Sequence, residues 1–67
     1  MLSNKIGRSI KELRSRLNLT QDDLVKKADI KYTTLIKVES GVIKKPNVQM
    51  MAKIAKNLNV AIEKLLS

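Results

Sequence analysis

Apolar residues return at every third or fourth position along most of this chain, a spacing that points to short amphipathic helices as the way to bury them. Ile6, Ile10, Leu13 and Leu17 form one stripe. Leu24, Val25 and Ala28 form a second, Leu35 and Val38 a third, and Val48, Met51, Ile54, Ala55 and Leu58 a fourth. Val60, Ile62, Leu65 and Leu66 close the series. Gly7, Gly41 and Pro46 are the only glycine and proline residues, too few for a turn-rich β protein. The predicted fold class is therefore all-α: a bundle of five short helices, in one domain spanning residues 1–67.

Residues between the stripes supply starts and stops. Ser3 or Asn4 suits the N-cap of the first helix, and Asn18-Leu19 interrupts its pattern. Thr20 reads as the next N-cap, and Asp23 three residues later completes a capping box with Asp in the usual Glu position. Asp22 and Asp23 also complement the positive end of the helix dipole. This second helix ends near Asp29. A third runs from Tyr32 to Ser40, and Gly41 ends it in a left-handed conformation. Asn47 caps the fourth helix after the loop 42–46, and Asn59, which tolerates a left-handed backbone, ends it.

Composition removes several function classes. The chain has no Cys and no His, so it lacks thiolate and imidazole ligands and the commonest general base. No Gly-rich phosphate loop is present, and so short a chain has little room for a deep pocket. No catalytic residue, metal site or cofactor is expected. Lys and Arg number 14 against 6 Asp and Glu, for a net charge of +8. Such a field attracts polyanions, with nucleic acid the first candidate and an anionic membrane surface the second. No apolar run approaches the roughly 20 residues that span a bilayer. The first residues have no signal-peptide core, and the apolar stripes can bury one another. The expected location is the cytoplasm, and no membrane partner is expected.

The stretch from Thr20 to Gly41 carries the functional signal. Two short helices flank the turn Asp29-Ile30-Lys31, and a helix with polar residues on its outer face fits the B-DNA major groove. The run Leu19-Thr20-Gln21-Asp22-Asp23-Leu24, then Thr33-Thr34-Leu35, Glu39-Ser40-Gly41 and Pro46, resembles the lambda-repressor-like group of helix-turn-helix regulators, the Cro-type or XRE group. The tail Ile54-Ala55-Lys56-Asn57-Leu58-Asn59-Val60 is similar to the same family's fourth helix and following turn. The resemblance reaches from about Ile6 to Leu66 and rests on several spaced motifs in order.

The resemblance implies a third helix in the major groove, a second-helix N-terminus against a phosphate, and a homodimer on a palindromic operator. Tyr32, Thr33, Ile36 and Lys37 fall at positions implied to face bases. Lys37 can donate to guanine, and the Thr33 methyl can touch a thymine methyl. Ile36 departs from the small or polar residue common there; it suits a thymine methyl or the edge of the second helix. Tyr32 suits a base or packing on a neighbouring helix. Thr20, Gln21, Lys31, Thr34, Ser40, Lys44, Lys45 and Asn47 are the phosphate candidates. In the family, the Gln21 position touches the DNA backbone or supports a recognition-helix contact. Arg14 and Glu39 match a pair that often joins the first and third helices, and Glu39 is read as structural.

Asp29 and Asn59 stand where the family often has Gly, and Ala61 replaces a common helix cap. Val42, Ile43, Met50, Ile62 and Leu66 suit either a dimer surface or completion of the small core, and the sequence leaves both open. The expected function is a sequence-specific, double-stranded DNA-binding transcriptional regulator acting as a repressor. The alternative is an antitoxin or another protein-interaction module that uses the same fold to bind a protein partner.

Overall fold

Ile10, Leu24, Leu35, Ile54 and Leu65 are fully shielded from solvent, and each comes from a different helix. They are the shared centre of a five-helix bundle. The computed structural model describes residues 5–66, and the N-cap expected at Ser3 or Asn4 lies outside them. The helices are α1 (Lys5–Arg16), α2 (Gln21–Ala28), α3 (Tyr32–Ser40), α4 (Val48–Asn57) and α5 (Ile62–Leu66). No strand occurs among the described residues. α1 packs on α3 and α5, α2 on α3 and α4, and α4 on α5. α3 is thus held between α1 and α2.

Local chemistry sets each boundary. The Asp23 N–H donates to Thr20 Oγ1 at 3.0 Å, and the Thr20 N–H donates back to Asp23 Oδ2 at 2.9 Å. That reciprocal pair satisfies two donors at the start of α2. The Thr20 backbone N–H, followed by the Thr20 hydroxyl, holds the Asp23 carboxyl below its ordinary pKa of 3.8. At α4, Asn47 Oδ1 accepts from the Met50 N–H at 2.8 Å.

The helix ends share one device. Asn18, Asp29 and Asn59 have φ of 57°, 57° and 60°, and Gly41 has 91°. Each is a left-handed residue that turns the chain back across a helix end. After Asn18, the Leu19 N–H reaches the Arg14 carbonyl at 3.0 Å, and after Asn59 the Val60 N–H reaches that of Ala55 at 3.0 Å. Asp29 and Asn59 behave as the sequence suggests. Asn18, which the sequence marks only as part of an interruption, does the same work.

Three apolar residues depart from the expected stripes. Leu17 lies beyond the end of α1 and is exposed, because the turn at Asn18 redirects the chain before Leu17 can join the Ile10 face. Val48 is the first residue of α4 and is exposed; burial on that helix begins with Met51. Leu66 is exposed because Leu65 takes the inward position of a helix only 5 residues long. Among the proposed dimer-surface residues, Ile43, Met50 and Ile62 are half-buried and packed against the core. They contribute to the monomer's core, one of the two roles the sequence leaves open for them. Val42 and Leu66 remain exposed.

A non-glycine left-handed residue is tolerable when it is Asn or Asp and costly otherwise. Asp29→Ala is therefore expected to destabilise by about 1 kcal/mol, while Asp29→Gly does not. Thermal unfolding should place the Ala variant's Tm roughly 4–8 °C below that of the Gly variant.

Candidate nucleic-acid interface

α3 turns two kinds of side chain in opposite directions. Leu35, Val38 and Glu39 are buried, whereas Thr33, Lys37 and Ser40 are exposed. Thr33, Lys37 and Ser40 follow one another at helical spacing and form a single outward face, with half-buried Ile36 beside them. Tyr32 stands at the edge toward α2, and Thr34 at the other edge. Lys31 provides no side-chain cap, so the first-turn N–H groups of α3 have no local acceptor from it.

Glu39 is only 2% exposed, and a carboxylate so placed requires donors. Arg14 on α1 supplies a fork: Nε to Oε2 at 3.0 Å and Nη2 to Oε1 at 3.1 Å. Gln21 on α2 donates from Nε2 to the same Oε1 at 2.9 Å. The third guanidinium arm of Arg14, Nη1, donates to the Leu19 carbonyl at 2.9 Å and secures the link between α1 and α2. Tyr32 then donates its hydroxyl proton to Gln21 Oε1 at 3.3 Å. One buried acid on α3 thereby fixes side chains from both helices that flank it.

Beside this network an open groove runs between α1 and the start of α2, lined by Lys11, Arg14, Thr20 and Gln21 among others. Thr20 Oγ1 accepts from the Asp23 N–H while its own proton is directed at the Asp23 carboxylate, so a phosphate contact from that hydroxyl requires that bond to open. Asn47 likewise accepts with Oδ1 and keeps its NH2 group as a donor. Asp22 is paired with Lys26 at 3.1 Å. Lys31, Lys37, Lys44 and Lys45 are all exposed. Among the described residues there is no cluster of acids able to hold a metal, and no helix is long and apolar enough to cross a membrane.

A family model described as a helix-turn-helix domain matches residues 7–67. The chain belongs to this helix-turn-helix family. An uncharacterized HTH-type transcriptional regulator of Archaeoglobus fulgidus is 35% identical over 54 residues, covering 81% of this chain and 75% of that one. The N-terminal DNA-binding domain of SinR from Bacillus subtilis superposes with a TM-score of 0.92 at 26% identity, covering 96% of this chain and 93% of the other. SinR, master regulator for biofilm formation, in complex with DNA superposes at 0.90 with 27% identity, covering 92% and 98%. The resemblance to the XRE group drawn from the sequence agrees with these matches.

In helix-turn-helix terms, α2 and α3 are the paired helices and Asp29-Ile30-Lys31 is the turn. The structure brings Thr33, Ile36 and Lys37 onto the outward half of α3. It gives Gln21 an inward task, binding Glu39 and Tyr32. Ser40 donates its hydroxyl proton to the Lys37 carbonyl at 3.2 Å, so a phosphate contact from that hydroxyl requires the bond to open. Lys11, not among the sequence candidates, lines the groove between α1 and the start of α2 and lies three residues before Arg14 on the same side of α1. That spacing was the available signal.

The Arg14 side chain is 15% exposed, against 2% for Glu39, and the asymmetry makes the pair testable. Arg14→Met strands a carboxylate in the core without its guanidinium and should cost roughly 3–5 kcal/mol. Glu39→Gln leaves a cation that water can still reach and should cost less. Urea denaturation of the two variants gives the order directly.

Proposed function

We propose that this helix-turn-helix protein is a DNA-binding transcriptional regulator, not an enzyme, whose α3 reads base edges in the major groove. The carrying observation is the outward face of Thr33, Ile36 and Lys37 on a helix anchored from beneath by Leu35, Val38 and Glu39. A net charge of +8 supports a polyanionic partner, and SinR, whose N-terminal domain shares this fold, binds DNA. A protein acting on the genome in this way belongs in the cytoplasm, associated with the nucleoid when bound.

Division of labour follows from reach and geometry. Thr33, Lys37, Ile36 and Tyr32 face bases. Lys31, Thr34, Lys44, Lys45, Thr20 and Asn47 hold phosphates, with Lys11 added and with Gln21 acting mainly through Glu39. Lysines in loops act as point charges, and their contribution comes through counterion release. Two copies related by a two-fold axis would place their third helices in successive major grooves, about 34 Å apart, on a palindromic operator. Of the five candidates for such a contact, Val42, 71% exposed, and Leu66 are the ones most open to a partner. Occupying an operator in this manner favours repression.

Selection from a random duplex library at near-physiological salt tests this reading. Lys37→Ala should shift the preferred sequence, losing about 1–3 kcal/mol of discrimination at one base pair per half-site. Lys44→Ala should weaken every duplex alike and lower the salt slope by about 1. Equal losses for both variants on all sequences would remove α3 from the role of reader.

A further inference from the structure

Hydrogen bonds have direction, and in the chain from Glu39 to Tyr32 each direction is forced by the group before it. A carboxylate has only acceptors. Glu39 Oε1 lies 2.9 Å from the Gln21 amide, so Gln21 must turn its NH2 end toward it. The carbonyl end of the same planar amide then faces Tyr32. Gln21 Oε1 can only accept, so the Tyr32 hydroxyl, 3.3 Å away, must donate its single proton there. The Arg14 fork on Glu39 holds the first member of the series in place. Tyr32 itself is 48% exposed and opens α3, the end of a recognition helix that meets base edges.

From this relay we infer that Tyr32 presents an acceptor, and no donor, to the major groove, and so selects a base carrying an exocyclic amine, adenine or cytosine. Guanine O6 and N7, thymine O4 and phosphate oxygens are all acceptors, and none can bond a hydroxyl whose proton is committed to Gln21. Adenine N6 and cytosine N4 carry the donors that complement it. Tyr32 thus becomes a specificity residue whose polarity is set by a buried acid on the far side of Gln21. The inference rests on the groove reading of α3 given above.

The test compares wild type with Tyr32→Phe on the duplex selected for the wild type. Within one half-site, each adenine is replaced in turn by a purine lacking the 6-amine, and each cytosine by a pyrimidinone lacking the 4-amine. Loss of Watson–Crick pairing affects both proteins alike, so the difference between them isolates the contact. One position per half-site should show a wild-type loss roughly three- to tenfold greater than that of Tyr32→Phe, the size of a single hydrogen bond. Gln21→Met, which removes the acceptor and releases the tyrosine proton, should let guanine or thymine compete at that position. The relay is overturned if no position distinguishes wild type from Tyr32→Phe, or if Gln21→Met keeps the amine requirement unchanged. Lys37→Ala on the same duplexes separates the two failures: if it still shifts preference, only the Tyr32 inference falls, and if it too changes nothing, the groove reading falls with it.

Discussion

An acid that is 2% exposed near the end of an otherwise apolar helix face must be met by donors, and Glu39 draws them from α1 and α2 at once. Removing such a carboxylate from water is expensive, and its pairing with Arg14 largely returns that cost without adding much net stability. Stability comes from elsewhere, from the five fully shielded aliphatic side chains that the helices contribute one apiece. The acid supplies geometry. An apolar contact tolerates small rotations of α3 about its axis, whereas a forked guanidinium and an amide on one carboxylate do not. α3 is therefore set at one angle to α1 and α2, and the outward direction of Thr33 and Lys37 follows from that angle.

On the proposed reading of α3 as the helix that meets bases, the same arrangement separates affinity from choice. Thr20, Asn47 and the loop lysines lie at helix starts and in loops, where donors and point charges serve any phosphate regardless of sequence. α3 offers few charges of its own, a single Lys37 among Thr33, Ile36 and Tyr32, and so depends on shape and hydrogen-bond polarity. Orientation of α3 by a polar network at its base is economical, because Glu39 acts on both flanking helices through two side chains, Arg14 and Gln21.

Much of this architecture is legible in the residues. Thr20 with Asp23, Asn47, Gly41, Asp29 and Asn59 mark helix ends by chemistry local to a few residues, and each does so in the structure. What escapes is non-local. Leu17, Val48 and Leu66 sit on apolar stripes but beyond the reach of a neighbouring helix, and periodicity alone does not say where a partner helix stops. The Arg14–Glu39 pair came from resemblance, not from spacing, because 25 residues separate its members. For Gln21 the resemblance implies a DNA-backbone contact or support of a recognition-helix contact, and only its place at a helix start is visible in the sequence itself. Its bond to Glu39, 18 residues away, is not visible there. One clue was available: a buried carboxylate has more lone pairs than one arginine fork satisfies, so a second donor was to be sought.

The central claim is that the outward half of α3 is the surface that meets DNA, and amide chemical shifts followed through a titration with the selected duplex test it most directly. The account predicts the largest changes at Thr33, Ile36 and Lys37, with secondary changes at the start of α2 and in the 42–47 loop, and little along α5. Saturable binding with its largest changes on α5 or the outer side of α1, and α3 unmoved, would contradict it.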